Sequence, residues 1–111
     1  MNTFLIYVTT KNKEEARAIG REVVQSRLAA CVNILDQMNS MYFWNDEFQD
    51  DQEAVLIAKT TGDKAAALMA AIKAKHSYEC PCIVSLPIVG GNPAFLEWIG
   101  AQVKDRTKNL K

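Results

Sequence analysis

Short apolar runs alternate with amphipathic segments in the first third of the chain. Residues 4–8 form a continuous run of strand-forming side chains, which predicts a central strand buried on both faces or nearly so. Asn12 and Glu15 have the spacing of a capping box, and apolar positions recur at helical spacing after them, so we predict a first helix over about 13–28. Residues 28–35 then change from helix to a second strand.

The middle of the chain predicts a long β-hairpin. Four large side chains at 41–44 precede Asn45-Asp46, which is typical of a turn, and acidic and polar residues follow. The apolar run at 54–58 predicts the next strand. A lone domain has little else to cover both faces of such an aromatic arm. The pattern therefore favours self-association, with coverage by the protein's own helices as the alternative.

Two further helices flank a last strand. Thr61 or Asp63 is positioned to cap a second helix, whose last turn carries basic residues. The strand Ile83–Ile88 contains Pro87, which cannot donate to a β-ladder, so this strand is predicted at a sheet edge or to end near residue 86. Asn92-Pro93 is a strong start for a third helix. The polar tail at 104–111 is expected to fray.

The predicted element order is β-α-β-β-α-β followed by a short helix. This order is typical of a ferredoxin-like α+β domain, in which two helices cover one face of an antiparallel sheet. Residues 1–111 are short enough to form a single domain. The other face of the sheet is apolar, so we expect the third helix or another subunit to cover it.

Charge and cysteine content exclude several classes of protein. With 13 basic and 13 acidic residues the formal net charge is zero, which argues against binding to nucleic acid or an anionic membrane. No apolar run is long enough to span a bilayer, and the first residues lack the pattern of a signal peptide. The three cysteines predict no disulfide framework, which favours the reducing cytoplasm. Cys31 is interpreted as a small buried hydrophobic residue.

Residues 76–82 gather the groups most able to bind a ligand. His76 is the only histidine and suits Cu(II), Zn(II) or Ni(II), and a bent segment would bring Glu79 and Cys80 towards it. Alternatively, His76 only complements the dipole at a helix end. If Cys80 and Cys82 are in an extended segment, their thiols point to opposite faces. The spacing of a closed zinc site is missing, so we expect any metal site to be weak, exposed or shared between subunits.

Three separated blocks of the sequence resemble the CutA divalent-cation tolerance family. They are residues 27–34, then Tyr42, Trp44, Glu53 and Lys59-Thr60, and finally 76–81 with Ile83, Pro87-Ile88, Gly91-Asn92 and 95–99. The resemblance implies a ferredoxin-like domain that assembles into a tight homotrimer, similar in architecture to the PII signalling proteins. It also implies binding of copper or other divalent cations, with no settled enzymatic reaction.

The sequence departs from the family pattern at three points. Ser77 replaces a proline after the histidine, Asn45-Asp46 stands where many members have a glycine, and Val8 stands where some members have a cysteine linked to copper. The first hypothesis is a non-enzymatic, cytoplasmic homotrimer that responds to metal ions. It would bind Cu(II) or another divalent cation, none of them obligatory, through His76, Glu79 and Cys80.

The second hypothesis is a PII-like regulatory or scaffold trimer. It would bind a small ligand or an unknown partner protein in the cleft between subunits, lined by Trp44, Glu53, Lys59 and Tyr78. A purely structural interpretation remains open beside both hypotheses. In that interpretation the aromatic residues are interface core, and Glu53 and Lys59 are surface charges of the hairpin.

Overall fold

The structure, a computed structural model, describes residues 2–105, so the predicted fraying at 106–111 lies outside it. It contains four strands and three helices in the predicted order. In chain order they are β1 (Thr3–Thr10), α1 (Lys13–Gln25), β2 (Cys31–Trp44), β3 (Glu47–Thr61), α2 (Gly62–Lys75), β4 (Ile83–Ile88) and α3 (Pro93–Gln102). No helix in the described part of the chain is both long and apolar enough to cross a membrane.

The four strands form one antiparallel sheet with the order β2-β3-β1-β4, which is the ferredoxin-like arrangement. β1 is central, as predicted, because it pairs with both β3 and β4. Its burial alternates, however: Ile6 and Val8 are fully buried against the helices, whereas Leu5 and Tyr7 are only half-buried. The prediction of burial on both faces or nearly so is therefore confirmed in its weaker form, because one face of β1 is largely buried and the other is partly buried.

The main core lies between the sheet and the helices α1 and α2. Its fully buried side chains include Ile6 and Leu56 from the sheet, Ile19 from α1, and Leu68 and Ile72 from α2. α3 contacts β1 and β3 and builds a second cluster, in which its buried Ile99 and Val103 pack with Ala30. The third helix therefore covers part of the sheet, as expected.

The first helix is shorter than predicted. It ends at Gln25, and Arg27 takes a left-handed conformation with φ of 67°. The amides of Leu28 and Ala29 both donate to the carbonyl of Val23, which closes the helix end. Leu28 still packs against the core from this turn. Because Leu28 continues the helical spacing of apolar residues, the sequence pattern predicted a helix that is longer than the real one.

The predicted hairpin is formed by β2 and β3 and turns at Asn45-Asp46. Both turn residues have positive φ, 51° and 64°, as a two-residue type I′ turn requires. The register shifts between Leu35 and Met38, so a bulge divides the arm from the rest of the sheet. β4 is an edge strand, which confirms the prediction made from Pro87.

Candidate functional site

A cavity of about 660 Å³ lies over the sheet at the base of the hairpin arm. Met38 of β2 is directly opposite Glu53 of β3, so their side chains share one face of the sheet. Tyr7 of β1 reaches the same place, and its hydroxyl donates to Met38 Sδ at 3.6 Å. Tyr42 and Trp44, further along β2, complete the aromatic wall. Sheet register therefore brings together residues from three strands.

The loop between α2 and β4 forms the other wall of the cavity. Tyr78, Glu79, Cys80 and Cys82 all line it. Tyr78 donates its hydroxyl to Glu53 Oε2 at 2.6 Å, which connects the loop to β3. Burial raises the pKa of Tyr78, and the bond to the Glu53 carboxylate raises it further, so this phenol remains protonated as a donor.

His76 holds this loop in place from beneath. Its side chain is fully buried, and its Nε2 lies 2.7 Å from the carbonyl oxygen of Thr9. Its Nδ1 accepts a hydrogen bond from the amide of Tyr78 at 3.1 Å. Because a carbonyl only accepts and an amide N–H only donates, the ring is the neutral tautomer protonated at Nε2. Both ring nitrogens are therefore occupied by the backbone.

Glu15 of α1 holds the beginning of the same loop. Its carboxylate accepts from the amide of Ser77 at 2.8 Å and from the amide of Lys11 at 3.0 Å. Burial alone raises the pKa of the Glu15 carboxyl, but these hydrogen bonds and the nearby His76 outweigh burial, so the net pKa is lowered. The capping-box spacing seen in the sequence is real, because Asn12 caps α1 by accepting from the Glu15 amide. The same Glu15 also anchors the loop.

Cys80 and Cys82 both line the cavity, and the condition under which their thiols would point to opposite faces, an extended strand, is not met. The alternation rule applies to strand residues, and β4 begins only at Ile83. Both thiols are free and exposed. Cys31, interpreted as a buried residue, is only partly buried at the start of β2.

Three of the four residues predicted for the cleft meet in the cavity: Trp44, Glu53 and Tyr78. Lys59 does not line this cavity of the single chain, and its place in a cleft between subunits stays a prediction. It lies six residues from Glu53 along β3, or about 20 Å in an extended strand. Its ammonium group instead donates to the side chain of Asn33. Among the residues that the structure describes, the cavity lining includes no lysine, arginine or histidine and two carboxylates, Glu53 and Glu79.

The three predicted metal ligands do not all lie in the cavity. Glu79 and Cys80 face the cavity, whereas His76 is buried outside its lining. Within residues 2–105, no three histidine, cysteine, aspartate or glutamate side chains are grouped so as to hold a metal ion. The ligand set therefore stays a prediction. The two hydrogen bonds of His76 count against its direct participation in this conformation.

Eight residues of the cavity were not among the predicted site residues: Tyr7, Thr9, Met38, Asn39, Ser40, Met41, Tyr42 and Cys82. Tyr7 was assigned to a strand buried on both faces, so its exposure to the cavity was missed. Met38 and Tyr42 follow the bulge, where the strand register cannot be counted from the sequence. Cys82 was visible as half of a C-x-C pair and was set aside by the alternation argument.

Comparison with known proteins gives the family. Residues 4–102 match the model of the family described as "CutA1 divalent ion tolerance protein". The chain belongs to this CutA1 family. A relative from Thermus thermophilus, named "Divalent-cation tolerance protein CutA", is 42% identical over 95 residues, which are 86% of this chain and 92% of the relative.

Other CutA proteins agree in sequence and structure. "Protein CutA 1, chloroplastic" from Oryza sativa subsp. japonica is 40% identical over 97 residues, 87% of this chain and 55% of the relative. The chain spans 55% to 62% of the length of its plant and frog relatives. The crystal structure of CutA from Xylella fastidiosa has a TM-score of 0.91 at 32% identity and covers 94% of this chain and 100% of that one. These comparisons establish the family and the ferredoxin-like fold.

Proposed function

We propose that this CutA1 protein is a homotrimer that binds divalent cations, copper among them, and thereby contributes to tolerance of metal ions. The observation that carries the proposal is the composition of the cavity wall. Glu79, Cys80 and Cys82 lie together in the loop before β4, and no basic side chain lines the cavity. Carboxylate and thiolate donors suit Zn(II) and copper. The proposal includes no catalytic step.

The metal site in this proposal is completed by assembly. One chain supplies exposed donors from Glu79 and Cys80 but no closed set of three within its described residues. A metal ion bound by two donors leaves coordination positions open, and these would be filled by water or by a neighbouring subunit. His76 acts in this scheme by positioning the loop, because both of its nitrogens are already hydrogen-bonded.

The homotrimer is supported by the apolar surface that a single chain leaves uncovered. Phe43, Trp44 and Phe48 on the hairpin are 73%, 46% and 59% exposed, and Leu86 on the edge strand is 47% exposed. On α3, Phe95 and Trp98 stack with ring centroids 5.5 Å apart while remaining accessible. Large exposed apolar side chains on the hairpin, the edge strand and α3 are typical of residues that a neighbouring subunit covers.

A cytoplasmic location is part of the same proposal, because Cys31, Cys80 and Cys82 are all free thiols. A reducing compartment keeps thiols available as ligands. Cell fractionation followed by immunoblotting would test the location, and recovery in an oxidising compartment would contradict it.

The decisive experiment is a calorimetric titration of the reduced protein with Zn(II), which thiols cannot reduce, followed by Cu(II). Light scattering on the same sample should give three times the 12.4 kDa mass of one chain. We expect a defined stoichiometry that is lost in E79Q and C80S and retained in C31S, since Cys31 does not line the cavity. Binding without stoichiometry, or equal loss in C31S, would refute the metal site, and a monomer would refute the trimer.

The aromatic wall of the cavity favours a second candidate function. A PII-like regulatory or scaffold trimer would bind a small ligand between Trp44, Tyr78 and Glu53. Cavities of roughly 300–1,000 Å³ with apolar walls and a few polar groups are typical of small-molecule sites. Thermal-shift screening of metabolites would test this candidate, and the absence of any stabilising compound would count against it.

A further inference from the structure

Glu53 is a buried carboxylate that has no cationic partner among residues 2–105. It is only 7% exposed, and the one side chain that donates to it is the neutral phenol of Tyr78. Among the described residues, Lys75 pairs with Glu22, and the neutral ring of His76 lies 3.9 Å from Glu15, so neither of these side chains is a partner of Glu53. A carboxylate that is buried without a positive charge beside it is unfavourable, and a bound cation would relieve that cost.

The surroundings of Glu53 determine which kind of cation fits. Four aromatic side chains, Tyr7, Tyr42, Trp44 and Tyr78, line the same cavity. Aromatic faces attract ammonium groups through their ring quadrupoles, and a cage of several rings is the usual way in which proteins bind quaternary ammonium. Tyr42 donates its hydroxyl to Asp51 at 3.0 Å, which fixes its ring and places a further negative charge nearby.

The size and the donors of the cavity favour an organic cation over a metal ion at this position. The cavity volume of about 660 Å³ is far larger than a bare ion needs. Hard metal ions favour several carboxylate oxygens, whereas the described lining has only two carboxylates, Glu53 and Glu79, beside four aromatic rings and Met38. The absence of basic side chains from the lining also disfavours nucleotides and other anions, which bind through positive charge and oriented amide groups.

We propose that this cavity binds a small organic ammonium ion, with Glu53 as its counter-ion and Tyr7, Tyr42 and Tyr78 as its aromatic cage. The inference names the ligand class for the second candidate function and does not depend on the metal site. Glu79, Cys80 and Cys82 lie in the loop wall of the cavity, whereas Glu53 and the rings of Tyr7, Tyr42 and Trp44 come from the sheet. Mutations in the loop wall and mutations in the sheet therefore test the metal site and the ammonium site separately.

The test compares choline with 3,3-dimethyl-1-butanol, which has nearly the same shape but no charge. Both are titrated into the full chain at physiological ionic strength, with calorimetry and tryptophan fluorescence as readouts. Trp44 lines the cavity and Trp98 does not, so W98F isolates the signal of Trp44. We expect choline to bind at least about tenfold more tightly than the alcohol, as cation–π attraction and the carboxylate both require the charge.

E53Q keeps an acceptor for Tyr78 and removes the negative charge. It should weaken choline binding about tenfold or more, leave the alcohol unchanged and leave Zn(II) stoichiometry unchanged. E97Q, on the exposed surface of α3, is the control with the same change of charge. If E53Q fails to fold, Y42L and the comparison of the two ligands on the unchanged protein give the answer.

Equal binding of choline and the alcohol, no binding of either, or equal effects of E53Q and E97Q would overturn the inference. A parallel thermal-shift series with ATP and with inorganic phosphate distinguishes failure of the ammonium proposal from failure of the second candidate function. Stabilisation by these anions without choline binding would leave a ligand-binding trimer standing and refute the ammonium class. If none of the compounds stabilises the protein, both the ammonium proposal and the second candidate function are refuted.

Discussion

Replacing His76 by alanine separates a structural role from a role as metal ligand. The variant removes the hydrogen bond to the Thr9 carbonyl at 2.7 Å and the one from the Tyr78 amide at 3.1 Å. Each contributes about 1 kcal/mol to the free energy of unfolding. The ring also packs against Tyr78 with centroids 4.8 Å apart, which adds about 1 kcal/mol. We therefore expect H76A to lower that free energy by about 3 kcal/mol in the absence of any metal.

Urea unfolding in the presence of EDTA, monitored by circular dichroism at a fixed subunit concentration, measures this loss. The concentration must match between variants because oligomer stability depends on it. K73A is the control, since Lys73 is exposed on the last turn of the same helix and should change stability by less than about 0.5 kcal/mol. If metal-free H76A is as stable as the control and differs only in metal-dependent stabilisation, His76 is a ligand and the structural role is refuted.

Three further predictions concern stability. N12A should destabilise the protein by about 1 kcal/mol, because it removes the cap that accepts the Glu15 amide, and denaturant unfolding measures this. E15Q should be destabilising at pH 7. The Glu15 pKa is depressed below 4.5 on folding, so the charged carboxylate stabilises the folded state and this stabilisation is lost as pH falls through the folded-state pKa. The difference in the free energy of unfolding between wild type and E15Q should therefore shrink at low pH, and an undiminished difference at pH 3 would contradict this. D46G should raise the melting temperature, with a gain of about 0.5 kcal/mol, since glycine suits the positive φ at the turn.

The element order and most boundaries could be predicted because local signals dominate them. The Asn12 cap, the Asn45-Asp46 turn and the Asn92-Pro93 helix start each depend on a few neighbouring residues, and all three occur as expected. The end of α1 could not be predicted in the same way. Leu28 has an apolar position that fits a helix equally well, and tertiary packing decides its conformation.

The site was harder to predict because it depends on register across strands. Trp44, Glu53 and Tyr78 were identified, yet the position of β2 residues over the cavity depends on a bulge between Leu35 and Met38 that no short sequence motif predicts. Lys59 was predicted from the family resemblance, and the single chain places it outside the lining of this cavity.

His76 connects the helical layer to the cavity without touching a ligand. From the end of α2 its ring binds β1 at Thr9 and fixes the amide of Tyr78, whose hydroxyl then binds Glu53 on β3. Because these bonds form a continuous path, displacement of His76 would move Tyr78 away from Glu53 and weaken any ligand at that carboxylate. Loss of binding in H76A would therefore not identify His76 as a ligand. Only E79Q and C80S, whose side chains are exposed and carry no part of this path, can assign the metal donors.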